Sequence, residues 1–227
     1  PGTFEMGSPP SEEDRSDYET QHKVTLTQGF WLGKHEVTQA QWEEVMGTNP
    51  SGYKGANFPV EAVSWNDAMA FCVKLTERER KTGRLPSGYA YQLPTEAQWE
   101  YACRAETTTN YYFGDDASKL GDYAWFDKNA KDANKKYAHP VGKKKPNAFG
   151  LYDMHGNVFE WCQDWYGDYQ STSAIDPSGP TGGQRRVLRG GSWRDNANYC
   201  RSAFRRGHNP DHRVSASGGF RGSVRDF

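Results

Sequence analysis

The sequence predicts an α+β domain dominated by loops, with about three helices and a few short strands. Three observations predict it. Helix-start signatures occur at three places, 24 glycines and 12 prolines punctuate the rest of the 227 residues, and apolar runs are short. Such runs cannot form a transmembrane helix or a signal core, so direct membrane insertion is not expected. Hydrophobic residues make up only 35%, but 8 Trp, 13 Tyr and 11 Phe can each bury a large area, so the core must be aromatic. No Ser/Gly/Pro-rich linker divides the chain, and residues 1–227 read as one domain.

In chain order, Lys23, Val24, Thr25 and Leu26, then residues 29–33 (GFWLG), read as short strands between loops. Thr38 with Gln41 forms a capping box, in which the hydroxyl accepts from the backbone N–H three residues on and the amide reaches back. The helix it opens runs through Trp42, Val45 and Met46 to a stop at Gly47. Ser64 with Asp67 opens a second helix, which spaces Ala68, Phe71, Cys72 and Leu75 along one face. Thr95 with Gln98 opens a third, which turns Trp99, Ala102 and Cys103 inward. These apolar stripes read as core, not as a cofactor site. The run Lys143, Lys144, Lys145, closed by Pro146, reads as a solvated loop, and no internal repeat is present.

Charge and metal-ligand types exclude several functions. With 28 Lys+Arg against 29 Asp+Glu, the chain lacks the basic excess of a nucleic-acid or anionic-membrane partner. Cys72, Cys103, Cys162 and Cys200 form no CxxC pair, which argues against a zinc knuckle or redox dithiol. The six histidines are His22, His35, His139, His155, His208 and His212. The last two are four apart, but Pro210 breaks any helix between them, so they are not expected on one face.

Several blocks are specific enough to carry a family resemblance. They are residues 2–8 (GTFEMGS), 34–38 (KHEVT), 59–65 (PVEAVSW), 93–102 (LPTEAQWEYA), 147–161 (NAFGLYDMHGNVFEW) and 187–193 (VLRGGSW). In this order and from end to end, the chain resembles the formylglycine-generating enzyme (sulfatase-modifying factor) family. The resemblance implies a loop-rich variant of the C-type lectin fold. It also implies a copper ion held by two cysteines five positions apart, just after the Gly-Gly-Ser-aromatic block. Here the second position is Cys200 and the first is Asp195. A carboxylate and one thiol suit Cu(I) poorly, so no catalytic residue is assigned and a catalytically inactive relative is expected. The competing expectation is a copper-dependent formylglycine-generating oxidase or a related oxygen-dependent enzyme. The resemblance further implies a structural calcium at Asp153, Gly156, Val158 and Glu160, the alternative being that Asp153 and Glu160 only hydrogen-bond loop backbone. A second calcium site of the family meets Trp125 and Phe126 here and is expected to be lost.

The C-terminal segment has a composition of its own. All 48 Lys, Glu, Gln, Met and Trp residues lie before position 194, whereas proportion would place about seven of them in the last 34 residues. Those five types are the ones a codon ending in a pyrimidine cannot encode. The segment therefore resembles the variable region of proteins diversified by diversity-generating retroelements. A frame of residues 189–193, 200–203, 210–211 and 219–221 surrounds the candidate variable positions. These are Arg194, Asp195, Asn196, Tyr199, Phe204, Arg206, Gly207, His208, Asn209, His212, Val214, Ser215, Ala216 and Ser217, with Gly218 at the margin of the 194–218 region.

A fold that tolerates many residues at these positions must point them to solvent and hold its backbone by other means. Tyr199 and Phe204 would offer apolar contact area, Arg194 and Arg206 multidentate donors, and the Ser, Asn, Gly and His positions adaptable polar contacts. Trp193 is expected to be packed and Arg221 paired. The expected function is that of a ligand-binding, receptor-like protein with a variable, macromolecular partner such as a protein. A monomer displayed at the cell surface or outside the cell is expected.

Overall fold

The structure is a computed structural model that describes residues 1–130, 137–214 and 217–226. The three capping boxes form as read. Thr38, Ser64 and Thr95 each accept from the backbone N–H three residues on, and Gln41, Asp67 and Gln98 reach back. They open α1 (Gln39–Met46), α2 (Trp65–Lys81) and α3 (Glu96–Arg104). Gly47 ends α1 in the left-handed conformation, at φ 78°, which glycine adopts without a steric cost. Two one-turn helices, α4 (Leu120–Tyr123) and α5 (Asp127–Ala130), were not expected from the sequence, since neither is long enough to show a periodic stripe.

The strands are short and form three small sheets. In the first, β1 (Gly2–Met6) pairs antiparallel with β2 (His22–Leu26), and β6 (Ala174–Ile175) joins β2 in parallel. In the second, β10 (Ser223–Asp226) lies between β3 (Trp31–Leu32) and β4 (Tyr89–Gln92). In the third, β5 (Phe159–Trp165) lies between β9 (Gly218–Gly219) and β7 (Arg186–Arg189), with β8 (Arg205–His208) outermost beside β7. Of the expected strand over 29–33 only Trp31 and Leu32 pair, and Trp31 stays exposed because β3 is an edge.

The core is aromatic, as the composition requires. Trp42 stacks on Phe71 at 5.4 Å and meets Phe220 edge-on at 5.9 Å, beside the buried Trp161 and Leu93. A second cluster under α3 joins Trp99, Met154, Cys162 and Val187. All four cysteines are buried and free. Lys143 and Lys145 are exposed, as a solvated loop requires, while Lys144 is half-buried. The Lys144 ammonium lies 3.9 Å over the Trp125 ring, and Lys145 pairs with Asp122 at 2.8 Å, so the run is fastened to α4. The sequence gives no sign of this, because the anion and the ring lie about twenty residues away.

Candidate functional site

The backbone beneath the C-terminal surface is held by three buried arginines of the frame. Arg189 donates through Nη1 to the carbonyls of Ala203 and Phe204, and through Nη2 to the Ser202 carbonyl and the Glu100 carboxylate. Arg201 binds Glu12, Glu19 and the Asp14 carbonyl, which fastens the N-terminal segment to the same region. Arg221 pairs with Glu160 and donates to the carbonyls of Gly33 and Tyr152, as its expected pairing requires. Trp193 is buried against Val158, Ala130 and Ala138. Gly191 is required at φ 73°, since a Cβ there would lie 2.7 Å from both the Cys200 sulfur and the Tyr199 carbonyl oxygen. Asp67, at the start of α2, binds Arg213, and Asn66 donates to Asp211 at 2.5 Å, which together fasten residues 211 and 213 to the start of α2.

Six of the expected variable positions are exposed: Arg194, Asn196, Tyr199, Arg206, Asn209 and His212. Asp195, Phe204, Gly207, His208 and Val214 are half-buried. Tyr199 and Phe204 meet edge-on at 4.9 Å, and the Arg206 guanidinium lies 5.8 Å over Phe159, the ring that Phe204 also faces. Phe204 and Arg206 thus converge on Phe159, with Tyr199 beside Phe204.

Other positions depart from the expectation of free side chains. Ser217 is buried, because its carbonyl accepts from Phe159 N where the chain enters β9. Gly218 is buried as well, and a Cβ on it would strike Val214 at 2.5 Å. Phe204 and Val214 pack against the main core and cannot vary freely in size. Ser215 and Ala216 lie outside the described residues. His208 and His212 do come together, with rings stacked at 4.8 Å, because a turn at Asn209 folds the chain back where a helix could not. Burial and the neighbouring imidazole hold His208 below the usual histidine range.

Gly207 is also tightly constrained by geometry. A Cβ there would lie 2.7 Å from the Tyr166 Cγ, which is the fixed root of that ring. Gly207→Ala is therefore expected to cost about 1–3 kcal/mol of unfolding free energy, whereas Asn209→Ala stays within about 0.5 kcal/mol, both read by denaturant melts. Equal costs would show that Tyr166 yields.

The residues at the implied copper position do not fit Cu(I). Cys200 is fully buried, with its thiol pushed well above the usual range, and Asp195 is bonded to the Ser192 hydroxyl. One neutral thiol and one hydrogen-bonded carboxylate lack the paired soft ligands the ion requires. At the implied calcium position, both oxygens of Glu160 are engaged, by Arg221 and by the Trp99 indole N–H at 2.9 Å. Asp153 accepts from Gly142 N at 2.7 Å, its second oxygen is buried without a partner, and burial raises its pKa to about 6. The Val158 amide donates to Glu36, whose pKa is pushed well up by burial and by the neighbouring Asp153 and Glu160. A calcium ion would have to compete with the Arg221 guanidinium for Glu160.

The model of the sulfatase-modifying factor enzyme 1-like domain matches residues 1–226. The chain belongs to that family. Within the sulfatase-modifying factor family it is 37% identical to the formylglycine-generating enzyme of Streptomyces coelicolor, over 85% of this chain and 60% of that protein. It is 32% identical to the chaperone protein LppX of Paenibacillus barcinonensis, over 80% of this chain and 75% of that protein. The chain thus spans little more than half the length of the formylglycine-generating enzyme it matches. Among solved structures, Treponema denticola variable protein 1 superposes with a TM-score of 0.84 at 32% identity, covering 99% of this chain and 94% of that one. The expected α+β, formylglycine-generating-enzyme-type C-type lectin fold is borne out by these matches and by the short strands and few helices.

Proposed function

We propose that this chain is a ligand-binding, receptor-like protein whose C-terminal surface is diversified by a diversity-generating retroelement, and that it is a catalytically inactive member of its family. The observation that carries the reading is the division of labour after position 188. Buried Arg189, Arg201 and Arg221 hold the backbone, while Arg194, Asn196, Tyr199 and Arg206 carry exposed side chains. A surface of this kind can change its side chains without losing its fold. Likeness to a variable protein over nearly the whole chain supports the same reading. Asp195 in place of a copper-binding cysteine supports the loss of chemistry. The partner is a macromolecule, a protein in the first instance. It is bound by a monomer outside the cell without calcium or any other cofactor taking part in recognition.

Three measurements test this. The gene should carry codons ending in a pyrimidine at the variable positions, with a template repeat nearby that differs at adenines, and scattered codon endings would sink the reading. Replacing Arg194, Asn196, Tyr199 and Arg206 together by Ser should shift the unfolding free energy by no more than about 1 kcal/mol. A loss above about 3 kcal/mol would make these residues part of the scaffold. Turnover of a cysteine-containing sulfatase peptide with added copper would restore the enzyme.

A further inference from the structure

We propose that the outer edge of β8 is the constant half of the binding surface, on which an extended, acidic segment of the partner protein adds as a further strand. This deepens the binding function proposed above and rests on it. β8 is the outermost strand of its sheet, with β7 on one side, and among the described residues no strand pairs with its other side. An edge of this kind presents main-chain N–H and C=O groups to whatever extended chain lies beside it.

The edge opens into a cleft of about 700 Å³ that has two unlike walls. Side chains alternate across a strand, so Arg205 and Gly207 face Tyr166, while Arg206 and His208 face Phe159 and Trp161. One wall is therefore outside the variable set and consists of Tyr18, Tyr166 and Arg185. Tyr18 is 56% exposed and meets Tyr166 edge-on at 6.4 Å, and the Arg185 guanidinium lies 5.3 Å from the same ring. The other wall carries the variable side chains. A strand laid along β8 would send alternate side chains to the constant wall and to the variable wall.

Two details fit an added strand. Gly207 carries no side chain at the middle of the edge, and glycine in a strand permits close approach of another backbone. Arg185 and Arg206 are exposed and, among the described residues, neither has a carboxylate within ion-pair distance, so they outnumber the single carboxylate of the cleft, Asp168. That balance selects an acidic segment. The physical logic is that side chains differ between variants whereas main-chain donors and acceptors do not. Strand pairing thus supplies affinity common to all variants, and the variable wall supplies selectivity.

The test uses the full chain and a displayed random peptide library as the probe. Selected peptides should be enriched in Asp and Glu. Methylating their backbone nitrogens one at a time should weaken binding about tenfold at alternate residues and little at those between, because only every second N–H of a strand faces its neighbour. Arg185→Glu should weaken the same peptides about tenfold or more. Peptides that are indifferent to N-methylation and to Arg185→Glu, but are lost in Arg206→Ser with His208→Ser, would overturn strand addition and leave the variable surface standing. Peptides indifferent to both sets would remove the binding function at this face, and a library that yields no binder would overturn strand addition as well.

Discussion

Arg189→Met is expected to lower the unfolding free energy by about 3–5 kcal/mol, the cost of breaking a buried ion pair from one side. For a domain of this size that is a fall in melting temperature of roughly 10 °C. The side chain is fully buried, and its two terminal nitrogens serve the carbonyls of Ser202, Ala203 and Phe204 as well as Glu100. Removing it leaves buried acceptors without donors just before β8. Glu100 keeps Arg104, at 2.9 Å, and the Gly7 amide, at 2.8 Å, so the loss falls mainly on the three carbonyls. Arg189→Lys is expected to recover only part of it, since a point ammonium cannot replace a planar fork with several donors. Paired thermal and denaturant melts check this. A loss under about 1 kcal/mol would show that Arg189 does not hold the surface.

Glu160→Gln is expected to cost a similar 3–5 kcal/mol, because Arg221 is fully buried and Glu160 is its ion-pair partner. The same measurement decides the calcium question. With Arg221 as the partner, the cost should be equal in excess chelator and in millimolar calcium, and chelator alone should leave the wild-type melting temperature unchanged. If calcium holds Glu160, chelator alone will lower the wild-type melt and the substitution will add little beyond it. Raising the pH should soften the penalty. Burial, Asp153 and Glu160 all push the Glu36 pKa up, so removing the Glu160 charge lowers it and lets Glu36 ionise more readily and compensate Arg221.

The helices were legible because their signals are local. Each capping box needs two side chains three residues apart, and the stripes of Trp42, Phe71 and Trp99 repeat within one or two turns. The proposed variable region was legible for a different reason: the absence of Lys, Glu, Gln, Met and Trp after position 193 is a compositional mark that does not depend on the fold. What each variable position can accept was not legible. Ser217 reads like its neighbours in sequence but enters a strand, and Gly207 reads as one more small residue but sits against Tyr166. The stacking of His208 on His212 was missed because the argument from Pro210 excluded a helix and said nothing about a turn.

The sequence by itself determined the family, the three capped helices, the aromatic core and the stretch of chain with its own composition. Only the tertiary structure decided which arginine pairs with which glutamate, that Glu160 is occupied by Arg221, and that β8 ends its sheet beside Tyr18, Tyr166 and Arg185. The physical reason is separation along the chain. Arg189 and Glu100 are 89 residues apart, and Arg201 and Glu19 are 182 apart. Pairs so distant leave no periodic or local trace in one sequence, and they are selected only when the packed core brings their charges out of water together.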